Sequence, residues 1–144
     1  MIYELLEHLK DRIETNTSFK AMVLPTLPAV YSLNTAYIII PDNVSMEFGI
    51  TSEIFSDFSI DIYFVVSDCN ADDMATMSRN VMKAYSSVKV LLEDILPRGG
   101  RSYSDTDMDA NCHDINVSAK TWMTGGKIPI SVNMSTQWKA ILKG

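Results

Sequence analysis

Cysteine, glycine and proline are all scarce in this chain of 144 residues, with two, six and five copies. Cys69 and Cys112 form no Cys-x-x-Cys pair and no zinc-ligand spacing. That excludes a disulfide framework or zinc module and fits free thiols in a reducing cytoplasm of synthesis. The low glycine and proline content excludes a collagen-like or low-complexity chain. Long apolar runs are missing too. Stretches such as Tyr37 to Ile40 and Tyr63 to Val66 fall far short of the ~20 residues that a membrane-crossing helix needs. The opening MIYELLEHLKDR is amphipathic and mixed in charge, without the continuous apolar core of a secretory leader. Basic charge is also in deficit, with 12 Lys and Arg against 18 Asp and Glu and a net charge of −6. An acidic chain repels phosphate, so nonspecific nucleic-acid binding is not expected.

The deficit is local as well as global. No Lys or Arg occurs between Lys20 and Arg79, a stretch with eight acids from Asp42 to Asp73. After Asp114 there are Lys120, Lys127, Lys139 and Lys143 and no acid. Three basic and eleven acidic residues precede position 73, and nine basic and seven acidic residues follow from it.

With 47% apolar and 21% charged residues, the chain reads as a single domain over 1–144, long enough to bury roughly 70% of its unfolded surface. Ile2, Leu5, Leu6, Leu9 and Ile13 recur at helical spacing and predict a helix over 2–14. Pro25 and Pro28 exclude a regular helix in 21–35 and disfavour a central strand, so an extended surface segment is expected there. Ala36 to Ile40 reads as a short strand ended by Pro41-Asp42-Asn43, and Phe48 to Phe55 as irregular or strand-like. In Asp57 to Val66, Phe58, Ile60, Ile62, Phe64 and Val66 alternate with their neighbours, the pattern of a strand with one buried face. Ser67 to Asn70 is expected to turn, with Asn70 as cap and Asp73 close behind it at the positive end of the next helix. Met74, Met77, Val81, Met82 and Tyr85 form that helix's apolar stripe, which runs on to Ile95 or breaks at Ser86-Ser87; Leu96-Pro97 ends it. Residues 97–111 read as a long loop. A closing hairpin follows, turning at Gly125-Gly126, with Ser131, Asn133, Ser135 and Gln137 along one face. The expected class is α+β: an antiparallel sheet of about four to five strands, two helices on one face, in the order α-β-β-α-β-β.

Few residues suggest chemistry. Asp105, Asp107, Asp109 and Asn111 place hard oxygens at alternate positions like the start of a calcium loop. Ala110 stands where the sixth position needs glycine, and Asn116 where the twelfth needs glutamate. A solvated or partner-binding acidic loop is the competing reading. Cys112-His113-Asp114 sets a nucleophile, base and acid side by side, but such groups are normally assembled by the fold rather than by adjacency. His8, the other histidine, lies beside Glu4 and Asp11 on a helix face. Arg98-Gly-Gly-Arg101 lacks the strand, helix and Lys-Ser/Thr of a phosphate-binding loop and reads as a salt-bridging loop. The methionine stripe reads as core filling or, with nine methionines in the chain, as a surface for partners. The Ser- and Asn-rich strand faces suit either packing against another subunit or a solvent face of low charge. No metal, no cofactor and no catalytic activity is expected.

Three features together resemble the tail terminator (tail completion) family of long-tailed bacteriophages: the helix at 2–14, the strand Asp57-Phe-Ser-Ile-Asp-Ile-Tyr-Phe-Val-Val66 with the Ser67-Asp68…Asp72 turn and helix after it, and the closing hairpin. Related neck proteins share the pattern. The resemblance implies a structural role: a ring of six on the tail tube that joins it to the head connector, located in the virion, with DNA only passing through the lumen. A small ligand-binding or regulatory module, or a small hydrolytic enzyme using Cys112 and His113 or the Asp cluster, are the alternatives. A closed ring needs two different complementary faces per subunit. The charge layout nominates Asp57 and Asp61 on an acidic surface, and Arg98, Arg101, Lys120 and Lys127 on a basic one.

Overall fold

A computed structural model of the chain describes residues 2–49, 53–70, 73–95, 100–122 and 127–143. Leu5, Leu6, Leu9 and Ile13 are buried along one side of α1 (Ile2–Asn16), and each contributes about 1.5–3 kcal/mol of apolar burial. Thr17 ends the helix. Its backbone N–H and its hydroxyl both donate to the Ile13 carbonyl, and its hydroxyl oxygen then accepts from the Phe19 N–H.

The strands are β1 (Lys20–Leu24), β2 (Thr35–Ile39), β3 (Val44–Phe48), β4 (Ile54–Asn70), β5 (Ser102–Ser104), β6 (Met108–Thr121) and β7 (Lys127–Leu142). The second helix, α2 (Met74–Ile95), falls between β4 and β5. Among the described residues the strands form one seven-stranded sheet in the order β1-β2-β4-β7-β6-β5, and β3 also pairs with β4. This corrects the sequence expectation in three respects. The sheet has seven strands rather than four or five. It is mixed, because β1 and β2 are parallel. The element order is α-β-β-β-β-α-β-β-β.

Each difference has a physical cause. The segment before Pro25 forms β1 because it lies at the sheet edge, where only one side needs partners. The Ala21 N–H on that strand donates to the Glu14 carboxylate of α1. Asn34, in the left-handed region at φ 57°, brings the chain back; its carbonyl accepts from the Lys20 N–H and its N–H donates to the Val65 carbonyl. β2 pairs with residues 61–65 of β4 and β3 with residues 54–58. The two therefore run end to end in one direction along the same edge. Pro41 interrupts the pairing because it has no N–H to give, and the chain does not turn there. β4 continues through Asn70 past a bulge between Val65 and Ser67, where a turn was expected. Asp73 caps α2: its side chain accepts from the Thr76 N–H. Ser86 and Ser87 do not break α2; their hydroxyls donate to the Met82 and Lys83 carbonyls one turn back. Two thirds of the expected loop at 97–111 is the β5–β6 hairpin. The Gly125-Gly126 turn, the Leu96-Pro97 stop and Arg98 lie outside the described residues.

Both helices cover one sheet face. Phe58, Ile60, Ile62 and Phe64 of β4, Ala36 and Ile38 of β2, and Ile130, Val132, Met134 and Trp138 of β7 enclose a single core with α1 and Ala84 of α2. Met77, Val81 and Leu92 of α2 pack against it. Met82 does not: it is 67% exposed. At 100° per residue, Val81 and Met82 cannot both face the sheet, so the expected stripe of Met74, Met77, Val81, Met82 and Tyr85 divides into a core side and a solvent side.

Candidate functional site

The alternate side chains of β4, β7 and β6 point away from the helices, and the registers place them in rows. Tyr63, Asn133 and Ser118 share one row; Asp61, Ser135 and Asn116 the next; Ser59, Gln137 and Asp114 the third; Asp57, Lys139 and Asn111 the fourth. One end of this face is closed. Trp122 packs edge-to-face on Tyr31 and Tyr63 at centroid distances of 5.9 and 6.2 Å. The Ser32 N–H donates to the Tyr37 hydroxyl at 2.9 Å. Tyr37, Val65, Ser131 and Asn133 are buried as a result, and the Asn133 amide donates to the Ile62 carbonyl. Burial, with Asp61 nearby, raises the Tyr63 phenol above its ordinary range.

The other end is open. Its centre carries small uncharged groups, with the Ser59 hydroxyl donating to Gln137 at 2.7 Å, and its rim carries charge. It leads into a groove of about 410 Å³ walled by Phe55 and Ile141, with Glu47, Asp57, Asp109 and Lys139 around it. Phe55 and Ile141 are each 40% exposed.

The nominated interface residues do not form one patch. Asp57 and Asp61 both lie on the open face, in rows four and two. Asp57 stands directly opposite Lys139 on β7, so the acidic first half of the chain meets the basic end inside a single sheet. Lys120 sits on β6 at the covered end, opposite Ser131, whose hydroxyl donates to the Lys120 carbonyl. Lys127 opens β7 opposite Asn70, farther along towards that same end of the sheet. Arg101 is exposed next to β5, where its carbonyl accepts from the Cys112 N–H.

The acidic triplet serves the β5–β6 turn. One oxygen of Asp105 accepts from the backbone N–H groups of Asp107 and Met108, both at 2.7 Å, and the other from the Tyr103 hydroxyl at 2.8 Å. Asp109 accepts from the Ser104 hydroxyl and pairs with Lys143 at 3.1 Å. Both Asp105 oxygens are thus engaged by donors of the turn itself. Among the described residues no three His, Cys, Asp or Glu side chains are placed to hold a metal.

The Tyr103 hydroxyl and the two N–H groups hold the Asp105 carboxyl below the usual carboxylate range. Burial and Asp105 push the Tyr103 phenol up to about 12. A depressed carboxyl stabilises the fold above its unfolded pKa of about 3.9 and loses that contribution as pH falls through the folded value. A raised phenol stabilises below its unfolded pKa of about 10 and loses that contribution as pH climbs toward 12. Thermal stability should therefore be flat in the neutral range and fall at both extremes. In Tyr103→Phe the Asp105 carboxyl should titrate at higher pH than in the wild type. An unchanged midpoint by carboxyl NMR would show that the phenol does not hold it.

The Cys112-His113-Asp114 run sits on a β6 bulge, where the register shifts between Cys112 and Asp114 and His113 is the extra residue. Cys112 turns toward the core and is half-buried, while His113 and Asp114 are exposed. The Cys112 thiol donates to the Asp114 carbonyl at 3.5 Å, and burial pushes its pKa up. That is the opposite of the depressed pKa of a reactive thiolate. His8 packs against Tyr103, ring centroids 5.2 Å apart.

Sequence reasoning missed the groove. The β7 alternation that groups Ser131, Asn133, Ser135 and Gln137 extends to Lys139 and Ile141, and the parity of Asp57 reaches Phe55, so the members were legible. Their arrangement around a groove needs the pairing of β3, β4, β7 and β6. A comparison with protein-family models finds no match for the chain, and a search of curated proteins likewise finds none.

Proposed function

We propose that this protein acts by binding, as a ring-forming subunit of virion assembly of the tail-terminator kind, which caps a tail tube in the tail or neck and meets a head connector. The observation that carries the reading is the open half of the sheet face. Its centre is small and uncharged, with Ser59, Ser135, Gln137 and Asn116, and its rim carries Asp57, Asp61, Asp114 and Lys139. The short Ser and Asn side chains lose less conformational entropy when ordered than Lys or Glu would, Gln137 is already held by Ser59, and rim charges select a partner and its register more than they add affinity. The resemblance of the N-terminal helix, the Asp57 to Val66 strand and the closing hairpin to tail terminators adds the class of assembly.

The test is solution mass by light scattering over a concentration series, with negative-stain images alone and with tail tubes. A discrete ring, free or on tube ends, is the expected result. A monomer at every concentration that also leaves tube ends bare would overturn the reading. Salt gives a second measurement. The screening length falls from about 10 Å at 0.1 M to about 3 Å at 1 M, so assembly held by opposed rim charges should weaken over that range. Assembly indifferent to salt would assign the contact to apolar groups.

A further inference from the structure

The outer side of α2 is unlike an ordinary solvent face. Met82 is 67%, Val90 57% and Tyr85 49% exposed, and exposed Arg79 and Lys83 flank them. From Met74 to Leu92 the helix carries Arg79, Lys83 and Lys89 and no acid. The groove on the opposite side of the molecule has the complementary composition. Phe55 and Ile141 give it apolar walls. Glu47, Asp57, Asp61 and Asp114 lie on the same face against Lys139, while Asp109 is already paired with Lys143. Dimensions agree as well. Arg79 to Val90 covers about 16 Å of helix, and the sheet from β3 to β6 is about 14 Å across.

We infer that the outer face of α2 docks into the Phe55–Ile141 groove of a second copy of this chain, with Met82 and Tyr85 against the apolar walls and Arg79 and Lys83 against Glu47 and Asp57. This rests on the ring reading above and names the contact that makes the ring. α2 packs on the core face of the sheet, and the groove opens on the other face. A copy that lends its helix therefore keeps its own groove free for a third copy. The contact is heterologous, the type that repeats head-to-tail and closes when each step adds the right rotation. The groove lies on the same face as the polar rows, so the seated helix covers part of the open half.

Two charge reversals and their mixture test this. Glu47→Lys with Asp57→Lys makes the groove basic, and Arg79→Glu with Lys83→Glu makes the helix acidic. Each double variant alone sets like charges against each other and should raise the concentration for half-assembly by at least about tenfold, since such juxtaposition costs several kcal/mol. Mixed in equal amounts, the two variants present only opposite charges at every contact and should assemble at near wild-type concentration. Melting curves check that each variant folds. If a reversal lowers folding, Asp57→Asn and Lys83→Gln serve as milder probes of the same surfaces, each expected to shift assembly in the same direction. Wild-type protein that assembles while both reversals assemble equally well overturns this contact and leaves the ring reading standing. So does impairment of only one variant, or of both without rescue on mixing. Wild-type protein that never assembles overturns the ring reading itself.

Discussion

Replacing Trp138 with alanine should remove about 3–5 kcal/mol of stability, among the largest losses expected from truncating any one of the described residues. Trp138 is fully buried on β7 between Phe58 of β4 and Cys112 of β6. Its ring is the largest fully buried side chain among the described residues, and its Nε1–H donates to the Thr136 hydroxyl at 2.7 Å. That hydroxyl donates in turn to the Ile60 carbonyl at 2.7 Å. Alanine leaves a cavity and takes away the only indole donor in this chain of bonds. Domains have just 5–15 kcal/mol to lose, and at this size each kcal/mol moves the melting point by about 3–5 °C. A drop of about 10–20 °C follows. Trp138→Phe keeps most of the volume and should cost clearly less. Urea unfolding checks both variants, with the midpoint falling and the slope preserved. A Trp138→Ala loss under about 1 kcal/mol would show that the site collapses freely around the missing ring.

Phe64→Ala should cost a similar amount, about 3–5 kcal/mol, and for a partly different reason. Phe64 is fully buried on β4, opposite Ala36 of β2 and Val132 of β7. Its ring meets Phe19 edge-to-face, centroids 5.2 Å apart at 78°. Phe19 sits just ahead of β1, so this pair pins the edge strand to the centre of the sheet. The effect should be uneven: amide exchange in β1 and β2 should accelerate more than in β6 and β7. A double-mutant cycle of Phe64→Leu with Phe19→Leu should give a coupling of about 0.5–1.5 kcal/mol. Zero coupling, with uniform acceleration of exchange, would mean that the pair does not anchor the edge.

These two positions also mark how far a sequence reading reaches. Phe64 was legible, because strict alternation from Phe58 to Phe64 needs no knowledge of any partner strand, and the helix at 2–14 was legible from its 3.6-residue period. The groove was legible only in parts. Parity places Phe55 with Asp57, and Lys139 with Gln137, but nothing local says that β3 pairs along the Phe55 end of β4 or that β6 lies beside Lys139. The bonding of the Asp105–Asp109 run was not legible for a related reason. Its spacing imitates a cation loop, while its actual hydrogen-bond partners are Tyr103, Ser104 and Lys143, the last contributed from beyond the end of β7.

What the sequence determined by itself is the set of elements whose burial pattern is long enough to identify them: α1, the Phe58 to Phe64 strand, the helix after Asp73 and the alternation of β7. Tertiary structure decided the rest. β5 is three residues long, too short to declare itself, and β1 runs straight into Pro25; they form because β2 and β6 offer them unpaired backbone groups. Parallel pairing of β1 and β2, the end-to-end run of β2 and β3, and the placing of Asp57 beside Lys139 all depend on residues far apart in the chain. Periodicity is a local property of the chain, and strand pairing is not. The charge asymmetry that runs along the sequence therefore became a property of a surface only when β4 and β7 were laid side by side.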